Sequence, residues 1–482
     1  MTMKIYNVML LAALLGGLSS CGDSWLDSEP STSIATTKSI TRLSEAGFAL
    51  NGVYDLMQSS DAYSGRLIYY GDVTGDDMQA VSATKRTGNY YRFNFTRDNA
   101  PESHWSYLYG IIQNCNVILD GLDKLTVTAD EQATFDDTKG QALCLRAMAY
   151  FDLTRLFGYP YLKDKGASLG VPLVLDVSST TSKPSRNTVA ECYAQILKDL
   201  SKGIRLVGTG FSKGHINRWG ALTLLSRVQL YKGDNAAALE AAKQAIAGAE
   251  SNGYALWSNT DYPTAWAADA SEANPGEVLF EIVNLTTDSP GRESMGYLCS
   301  KDGYDDEVVT VSFYHLLSQD PHDVRLKILS FDGSSYAYVN KFQPQGSEAI
   351  MDANIPLIRL SEAYLNVAEA AQKLGDNSQA VAYLDPIVRR ANPDNTVQGT
   401  TVTLERVLTE RRKELVGEGH RMFDVIRNGM KVERKNETDK HLAKTRHNTS
   451  YMEYDWTFGK IVLPIPKAER DANPNIQQNP EY

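Results

Sequence analysis

The sequence has no excess of basic residues, few cysteines and no metal motif, and each absence removes a class of function. The chain of 482 residues carries a net charge of −11. Proteins that bind nucleic acid neutralise its phosphates with a dense basic face, so nucleic acid is not an expected partner. None of the five cysteines belongs to a Cys-x-x-Cys pair, and no histidine spacing fits a zinc site. We therefore predict no metal site and no cofactor.

Four of the cysteines lie in the body of the chain, and three of these occur in stretches with helical periodicity. Such positions are typical of buried free thiols, which behave as small hydrophobic side chains. A disulfide stays open as an alternative, because an oxidising compartment would permit it. The four residues are Cys115, Cys144, Cys192 and Cys299.

The sequence also lacks an apolar run long enough to cross a bilayer, which takes about 20 residues. The apolar run Val8–Leu18 follows Lys4, and this order is typical of a signal peptide. It ends in Leu-Ser-Ser-Cys, which resembles a bacterial lipobox, where cleavage precedes the cysteine and lipid such as palmitate is attached to it. We predict a lipoprotein signal peptide at 1–20, a lipidated tether at 21–34, and membrane attachment through Cys21.

No hydrophobic strands alternate with helices, so a Rossmann fold or an α/β barrel is not expected. Helical periodicity dominates instead. It predicts helices over 42–58, 102–122, 139–157, 187–206, 215–232, 235–250, 356–374, 377–391 and 403–428.

Two of the helix pairs have tetratricopeptide-like spacing. Gly233-Asp234 and Gly375-Asp376 mark turns between helices whose alanines permit close packing. Long segments without helical period separate the helices, at 59–100, 159–186, 251–355 and 430–482. Such long loops are uncommon unless they carry function or short strands. The predicted fold is therefore mainly α, with tetratricopeptide-like helix pairs as a scaffold and with long loops and short strands between them.

Motifs for catalysis are weak. The stretch GFSKG at 210–214 fits the nucleophile pattern G-x-S-x-G, but no hydrophobic strand precedes it, so we expect Ser212 to cap the next helix. The carboxylate runs Asp76–Asp77 and Asp305–Glu307 are sequence neighbours, which seldom face one glycosidic bond from opposite sides. A calcium site over Asp302–Glu307 stays an open alternative, although EF-hand spacing is absent. We predict that the protein is not an enzyme.

The stretch ERRKELVGEGHRMFDVIRNG at 410–429 gathers ten charged or histidine side chains, and two interpretations compete. A catalytic site would present these groups in a loop at a cleft. A helix would instead bury an apolar stripe and fix its flanks by ion pairs. Helical spacing of the stripe from Leu408 to Ile426 favours the structural interpretation.

Aromatic residues cluster in the segments between the helices, and tyrosine dominates with 26 residues against 6 tryptophans. A pyranose packs its C–H face on such rings, and a peptide could use the same surface. Alternating aromatics such as YYRFNF equally fit the inward side of short strands.

Several stretches together resemble the SusD/RagB family of Bacteroidetes nutrient-binding lipoproteins. The charged stretch at 410–429 is similar to the signature helix of that family. The others are WSYLYGIIQNCNVIL (105–119), LRAMAYFDLTRLFGYPYL (145–162), RWGALTLLSRVQLYKGD (218–234) and IVLPIPKAERDANPNIQQNPEY (461–482).

This resemblance implies a SusD-like N-terminal region at 35–232 and a RagB/SusD C-terminal region at 233–482. It also implies that the helix pairs are the scaffold and that the long loops and short strands carry the ligand site. It implies an outer-membrane, surface-exposed lipoprotein that acts as the lid of a SusC-like TonB-dependent transporter. The ligand would be an oligosaccharide or polysaccharide; the alternatives are a peptide ligand, as for a RagB-like lid, or a purely protein-interaction scaffold. Family ligand residues are aromatics in regions that correspond here to 79–100 and 257–340. The expected ligand contacts are Arg86, Tyr90, Tyr91, Trp257, Trp266, Tyr297 and Tyr304.

Overall fold

A computed structural model describes residues 40–177, 182–346, 349–444 and 446–482. Cys21, the predicted signal peptide and the predicted tether lie outside the described residues. Within those ranges, no helix is both long and apolar enough to cross a membrane. The four cysteines of the described chain are free and buried, as the sequence predicts.

Helices are the main regular structure of the described chain, and strands are few and short, which confirms the predicted fold class. The helices are α1 (Leu43–Gln58), α2 (Arg66–Val73), α3 (Gly88–Tyr91), α4 (Glu102–Leu122), α5 (Gln132–Phe157), α6 (Tyr161–Asp164), α7 (Val189–Leu206), α8 (Arg218–Lys232), α9 (Asn235–Ser251), α10 (Tyr262–Ala265), α11 (Met295–Leu298), α12 (Val311–Ser318), α13 (Leu360–Lys373), α14 (Asn377–Ala391), α15 (Leu404–Glu414), α16 (Arg421–Arg427) and α17 (Lys467–Ala472).

The long helices pack one on the next. Helix α1 lies on α4, α4 on α5, α5 on α7, and α7 on α8. The two pairs with tetratricopeptide-like spacing, α8–α9 and α13–α14, lie against each other through α9 and α13. Between these helices, Ala238 and Ala370 lie in one buried cluster with Leu230, which is consistent with the close approach that small side chains allow.

The two Gly-Asp turns have the predicted local structure. Gly233 and Gly375 have φ of 84° and 79°, a left-handed conformation that glycine adopts without steric cost at the end of a helix. The following aspartates cap the next helices. Asp234 accepts a hydrogen bond from the N–H of Ala237, and Asp376 accepts one from Gln379.

Two local predictions need correction. Helix α8 is capped by Asn217, whose Oδ1 accepts hydrogen bonds from the N–H groups of Trp219 and Gly220, 3.1 Å each; Ser212 is not the cap. The helix predicted over 403–428 is two helices, α15 and α16. Between them, Gly417 and Gly419 have φ of 81° and 76°, which breaks the right-handed helix.

Strands are short and paired in twos within the described ranges. The strands are β1 (Met78–Ala80), β2 (Val278–Ile282), β3 (Glu307–Val309), β4 (Leu329–Phe331), β5 (Ala337–Val339), β6 (Ile355–Arg359), β7 (Val432–Glu433) and β8 (Glu453–Tyr454). The antiparallel pairs are β1–β3, β2–β6, β4–β5 and β7–β8. Strands β1 to β6 come from the segments 59–100 and 251–359, which carry the long loops between helices. Strands β7 and β8 lie near the C-terminus.

The charged stretch at 410–429 is structural, as predicted. Its apolar stripe is buried, with Leu408, Met422 and Ile426 at most 7% exposed. Its charged side chains form ion pairs with each other and with neighbouring elements in a buried charge network. The members are Arg359, Glu369, Arg411, Glu414, Glu418, Asp424 and Arg427.

Geometry within the charge network is close. Arg359 Nη1 lies 3.0 Å from a Glu414 oxygen, and Arg411 Nε lies 2.6 Å from an Asp424 oxygen. Burial, reinforced by nearby guanidinium groups, holds the pKa of His420 well below its usual range. This histidine is therefore neutral at physiological pH and enclosed, which does not fit a general acid or base exposed to a substrate.

Candidate functional site

The β1–β3 ladder brings together two segments that are distant in sequence. Ala80, the last residue of β1, pairs with Glu307, the first residue of β3. Because the strands are antiparallel, the chain that leaves β1 and the chain that enters β3 lie at the same end of the ladder. The Thr87 hydroxyl donates to the Asp306 carbonyl over 2.8 Å, which fixes the loop after β1 against the segment before β3.

Two tyrosines of the second segment contact each other. The Tyr297 and Tyr304 rings pack edge to face, with centroids 5.0 Å apart and an interplanar angle of 86°. The Tyr304 N–H donates to the Tyr297 carbonyl over 2.9 Å. Gly303 permits this tight return, because a Cβ there would lie 1.9 Å from the Tyr297 carbonyl oxygen.

Arg86 joins these rings from the loop after β1. Its guanidinium carbon lies 4.1 Å from the centroid of the Tyr304 ring, a cation–π contact. Its Nε and Nη2 donate to the two carboxylate oxygens of Glu293 over 2.8 and 2.7 Å. We call the group of Arg86, Glu293, Tyr297 and Tyr304 the tyrosine platform.

The tyrosine platform is accessible to solvent. Tyr297 and Tyr304 are half-buried, and the side chains of Arg86 and Glu293 are 34% and 40% exposed. Its rings and its charged pair can therefore contact a ligand without rearrangement of the core.

A buried carboxylate lies beneath Arg86. Asp306 is completely buried, and one of its oxygens is 3.6 Å from Arg86 Nη1. Burial raises the pKa of Asp306, while Arg86 and Lys85 oppose that shift. The guanidinium group is therefore oriented by the Glu293 carboxylate, the Asp306 carboxylate and the Tyr304 ring.

A second aromatic group lies in a cleft of about 470 Å³. The four platform residues are not part of its lining. Trp257 and Trp266 form its aromatic wall, with ring centroids 4.9 Å apart. Trp257 is half-buried, and Trp266 is 6% exposed. We call this site the tryptophan cleft.

Among the described residues, no group of three or more His, Cys, Asp or Glu side chains could hold a metal ion. The carboxylates considered for calcium have separate partners. Asp302 pairs with Lys301 at 2.7 Å, and Asp305 accepts a hydrogen bond from the Tyr338 hydroxyl at 2.7 Å. This arrangement gives no support to the calcium alternative.

Comparison with known proteins identifies the family. Residues 334–482 match the sequence model of the SusD family. Residues 24–230 match a second model, described as starch-binding and associating with the outer membrane. A solved SusD superfamily protein from Bacteroides vulgatus is 38% identical, with a TM-score of 0.84, and the alignment covers 91% of this chain and 99% of that one. The chain belongs to the SusD/RagB family.

Two further relatives of this SusD-family protein carry names that refer to a ligand. A solved structure from Bacteroides vulgatus, named for sugar binding, is 68% identical, with a TM-score of 0.92. The alignment covers 92% of this chain and 100% of that one. The starch-binding protein SusD of Bacteroides thetaiotaomicron is 33% identical over 149 residues, which are 30% of this chain and 24% of that protein.

The structure of this SusD-family protein places the expected ligand residues in three locations. Arg86, Tyr297 and Tyr304 lie together on the tyrosine platform. Trp257 and Trp266 lie in the tryptophan cleft. The remaining two residues, Tyr90 and Tyr91, are in the core.

Tyr90 and Tyr91 belong to the single helical turn of α3, which packs inward. The Tyr90 hydroxyl lies 3.0 Å from His104 Nε2, and its side chain is 5% exposed. Tyr91 is fully buried, bonded to His447 and stacked under Arg434 at 4.4 Å. Since neither ring reaches the surface, the prediction that Tyr90 and Tyr91 contact the ligand is wrong for this structure.

Sequence reasoning missed Glu293 and gave Asp306 a different role. Glu293 lies 207 positions from Arg86, and no local motif marks it. In the sequence, Asp306 is distinguished only as part of the carboxylate run Asp305–Glu307. An arginine in an aromatic loop can pair with a carboxylate, but only the tertiary structure shows that its partner is Glu293.

Proposed function

We propose that this SusD-family protein binds an oligosaccharide or polysaccharide at the tyrosine platform and catalyses no reaction on it. The observation that carries the proposal is the half-exposed pair of rings with Arg86 held over Tyr304 at 4.1 Å. A pyranose can pack its C–H face against a tyrosine ring, while charged groups hydrogen-bond to its hydroxyls. Relatives named for binding starch and sugar support this ligand class.

The platform is preorganised, which favours affinity. Glu293 and Asp306 orient Arg86 before any ligand arrives, and Gly303 fixes the angle between Tyr297 and Tyr304. Because less side-chain freedom is lost on binding, more of the contact energy contributes to affinity. The predicted N-terminal region (35–232) supplies Arg86, and the predicted C-terminal region (233–482) supplies the other platform residues, so in this proposal both regions build the site.

The proposal includes a location and a partner. Lipid on Cys21 would anchor the protein in the outer membrane, with the folded chain at the cell surface as the lid of a SusC-like TonB-dependent transporter. The family model described as associating with the outer membrane supports this location. Fractionation of a Cys21→Ser variant is expected to release the protein from membranes, and detergent extraction of the wild type is expected to co-purify a β-barrel transporter.

Calorimetry against a panel of polysaccharides, oligosaccharides and peptides tests the ligand. The wild type is expected to bind at least one glycan saturably. A Tyr304→Ala variant is expected to bind it at least about tenfold more weakly, which corresponds to about 1.4 kcal/mol. The matched control is Tyr383→Ala, because Tyr383 is a half-buried ring on α14 that packs on Tyr364 at 5.7 Å and lies outside the platform.

Other outcomes of the panel, of the co-purification and of a turnover assay support the alternatives. Saturable binding of peptides alone would replace the glycan with a peptide ligand. A transporter complex that forms without any ligand, and that is unchanged by Tyr304→Ala, would support a pure interaction scaffold. Turnover of a glycan by the purified protein would contradict the absence of catalysis.

A further inference from the structure

The two platform tyrosines belong to one loop that closes on itself. This segment, residues 297–307, runs from the end of α11 to the start of β3, and we call it the platform loop. The Tyr304 N–H bonds the Tyr297 carbonyl, and a second backbone bond follows it. In that bond, the Asp306 N–H donates to the Leu298 carbonyl, again over 2.9 Å. The spacing of the two rings therefore depends on how firmly the halves of this loop stay together.

A side-chain hydrogen bond also joins the halves of the platform loop. The Cys299 thiol donates to Glu307 Oε1, with 2.9 Å between sulfur and oxygen. Cys299 is 3% exposed and Glu307 is completely buried. Glu307 Oε2 is buried and has no hydrogen-bond partner among the described residues. A thiol is a weak donor, and a buried charge is costly unless it is paired, so this environment favours the neutral acid.

Two further carboxyl groups lie close to Glu307. Asp306 precedes it in the chain and is completely buried. Asp72 comes from α2 and is 1% exposed. Burial raises the pKa of Asp72, and the neighbouring Glu307 raises it further. Ionised Glu307 would therefore face like charge from its own loop and from α2.

The cations of this region are paired with other groups. Lys85 and Arg86 lie 3.8 and 3.6 Å from oxygens of Asp306, and Arg86 also bonds Glu293. Lys341 interacts with Asp72, but its Nζ donates to the Glu414 carbonyl and to Glu418, over 2.7 and 2.6 Å. Strand β5 packs beside β3 and supplies Tyr338, whose hydroxyl bonds Asp305. None of these groups forms an ion pair with Glu307 in the part of the chain that the structure describes.

The protonation state of Glu307 follows from these surroundings. Burial raises the pKa of Glu307 to about 8; the Cys299 hydrogen bond opposes this rise, and Asp306 adds to it. Burial also raises the pKa of Cys299 well above its usual range, so the thiol keeps its proton. At neutral pH Glu307 is therefore largely a neutral acid, and it ionises as pH rises through about 8.

We infer that protonated Glu307 is a positioning residue for the tyrosine platform, because it keeps the halves of the platform loop together and so sets the spacing of Tyr297 and Tyr304. Ionisation places a buried negative charge beside Asp306 and Asp72, and separation of the halves relieves this repulsion. This role rests on the proposed function in that altered ring spacing is expected to weaken glycan binding. Affinity is full while Glu307 is neutral and falls as it ionises.

Calorimetry between pH 6.5 and pH 9 tests this role. The lipidated protein in detergent is titrated with maltohexaose, laminarihexaose and mannohexaose, which carry no group that ionises in this range. For each hexaose that binds, the wild type is expected to lose at least about fivefold in affinity, because the competent neutral form becomes a minor fraction. Glu307→Gln keeps the shape of the neutral acid and cannot ionise. It is expected to bind within about twofold of the wild type at pH 6.5 and to keep that affinity at pH 9.

A second variant changes the midpoint of the affinity loss. The Cys299 hydrogen bond lowers the pKa of Glu307, so Cys299→Ala is expected to move the midpoint to higher pH. It is also expected to bind more weakly than the wild type at pH 6.5, since the side-chain bond across the loop is lost. This variant keeps the test decisive if Glu307→Gln does not fold.

The matched control is another buried carboxyl outside the platform. Glu281 lines the tryptophan cleft, and burial raises its pKa to about 7. Glu281→Gln therefore removes a group that titrates in the same range, and it is expected to leave the pH profile of binding unchanged.

Hydrogen exchange of the platform loop gives a readout that needs no ligand. Protection of peptides that cover 297–307, relative to the unfolded chain at the same pH, is expected to fall between pH 6.5 and pH 9 in the wild type. It is expected to stay constant in Glu307→Gln. A peptide from α14, which lies outside the platform, is expected to show no difference between the two proteins.

The outcomes separate this inference from the proposed function. Wild-type affinity that is independent of pH, or that falls equally in Glu307→Gln, overturns the role of Glu307 and leaves the platform as the glycan site. An unshifted midpoint in Cys299→Ala also overturns it. Binding of none of the sugars counts against the proposed function, and hydrogen exchange then decides the role of Glu307. Loop protection that falls in both proteins, or in neither, overturns that role.

Discussion

Two groups of arginines and carboxylates in this protein have the same chemistry and different surroundings. In the charge network, Arg359 and Glu414 are completely buried. On the tyrosine platform, Arg86 and Glu293 are 34% and 40% exposed. Burial rather than residue type therefore separates the charged pairs that hold the fold together from the pair that can contact a ligand.

Aromatic residues show the same contrast. Arg434 lies 4.4 Å from the centroid of Tyr91, and Arg86 lies 4.1 Å from that of Tyr304. The first ring is fully buried and the second is half-buried, so nearly identical stacking serves packing in one place and presents a surface in the other. The comparison predicts that substitutions in the network will alter stability, and that substitutions on the platform will alter binding.

The largest expected effect breaks the charge network. Glu414→Ala removes a buried carboxylate that Arg359, Arg390 and Arg325 share, and it leaves each of these buried guanidinium groups with one carboxylate partner fewer. The free energy of unfolding is expected to fall by about 3–5 kcal/mol, measured by denaturant titration. The control is Asp120→Asn in the exposed pair with Lys124, which is expected to cost less than about 1 kcal/mol. Equal losses in the two variants would contradict the comparison.

A smaller effect is expected on the platform. Arg86→Lys keeps the positive charge but loses the planar fork that bonds Glu293 in two places and stacks on Tyr304. Glycan binding is expected to weaken about fivefold, or about 1 kcal/mol, by calorimetry. The melting temperature is expected to change little, because the pair is partly exposed. A large drop in melting temperature with unchanged affinity would show that Arg86 is structural.

The smallest expected effect concerns the partly exposed ion cluster of His315, Glu437 and Asp439. His315 lies 2.8 Å from both Glu437 and Asp439. The hydrogen bond to Asp439 raises the pKa of His315. Partial burial acts in the opposite direction, and the hydrogen bond to Glu437 raises the pKa further. Because the folded-state pKa is raised, the stabilisation is fully present below the unfolded value of 6.5 and is lost as pH rises through the folded-state pKa.

Thermal melts of the wild type and of His315→Gln measure this loss. The wild type is expected to melt above the variant at pH 6, and the difference is expected to shrink by pH 9. The direction follows from the sign of the pKa shift. A difference that grows with pH would mean that neutral His315, rather than the imidazolium, makes the stabilising contacts.

Several features were predictable because they depend on residues that are close in sequence. The Gly-Asp turns at 233 and 375, the long helices and the buried stripe of the charged stretch follow from local periodicity and backbone preferences. The break between α15 and α16 was not predicted, because charge pairs and apolar spacing continue across it. There, Gly419 donates its N–H to Asp72 over 3.1 Å, and a Cβ on Gly71 would lie 2.1 Å from the Gly419 carbonyl oxygen.

The candidate ligand residues show where prediction from local sequence stops. Tyr90, Tyr91, Tyr297 and Tyr304 are similar in sequence, since each is a tyrosine in a segment between the long predicted helices. Two of them became core and two became surface. That outcome depends on which segments pack over them, such as the C-terminal segment that brings His447 onto Tyr91.

The sequence by itself determined the helical class, the turn geometry and the family resemblance, because these arise from propensities and motifs within single segments. Only the tertiary structure decided that Arg86 meets Tyr304 and Glu293, and that the two tryptophans form a separate cleft. The physical reason is that exposure and pairing are properties of residues hundreds of positions apart, which come into contact only when strand pairing and helix packing close the chain on itself.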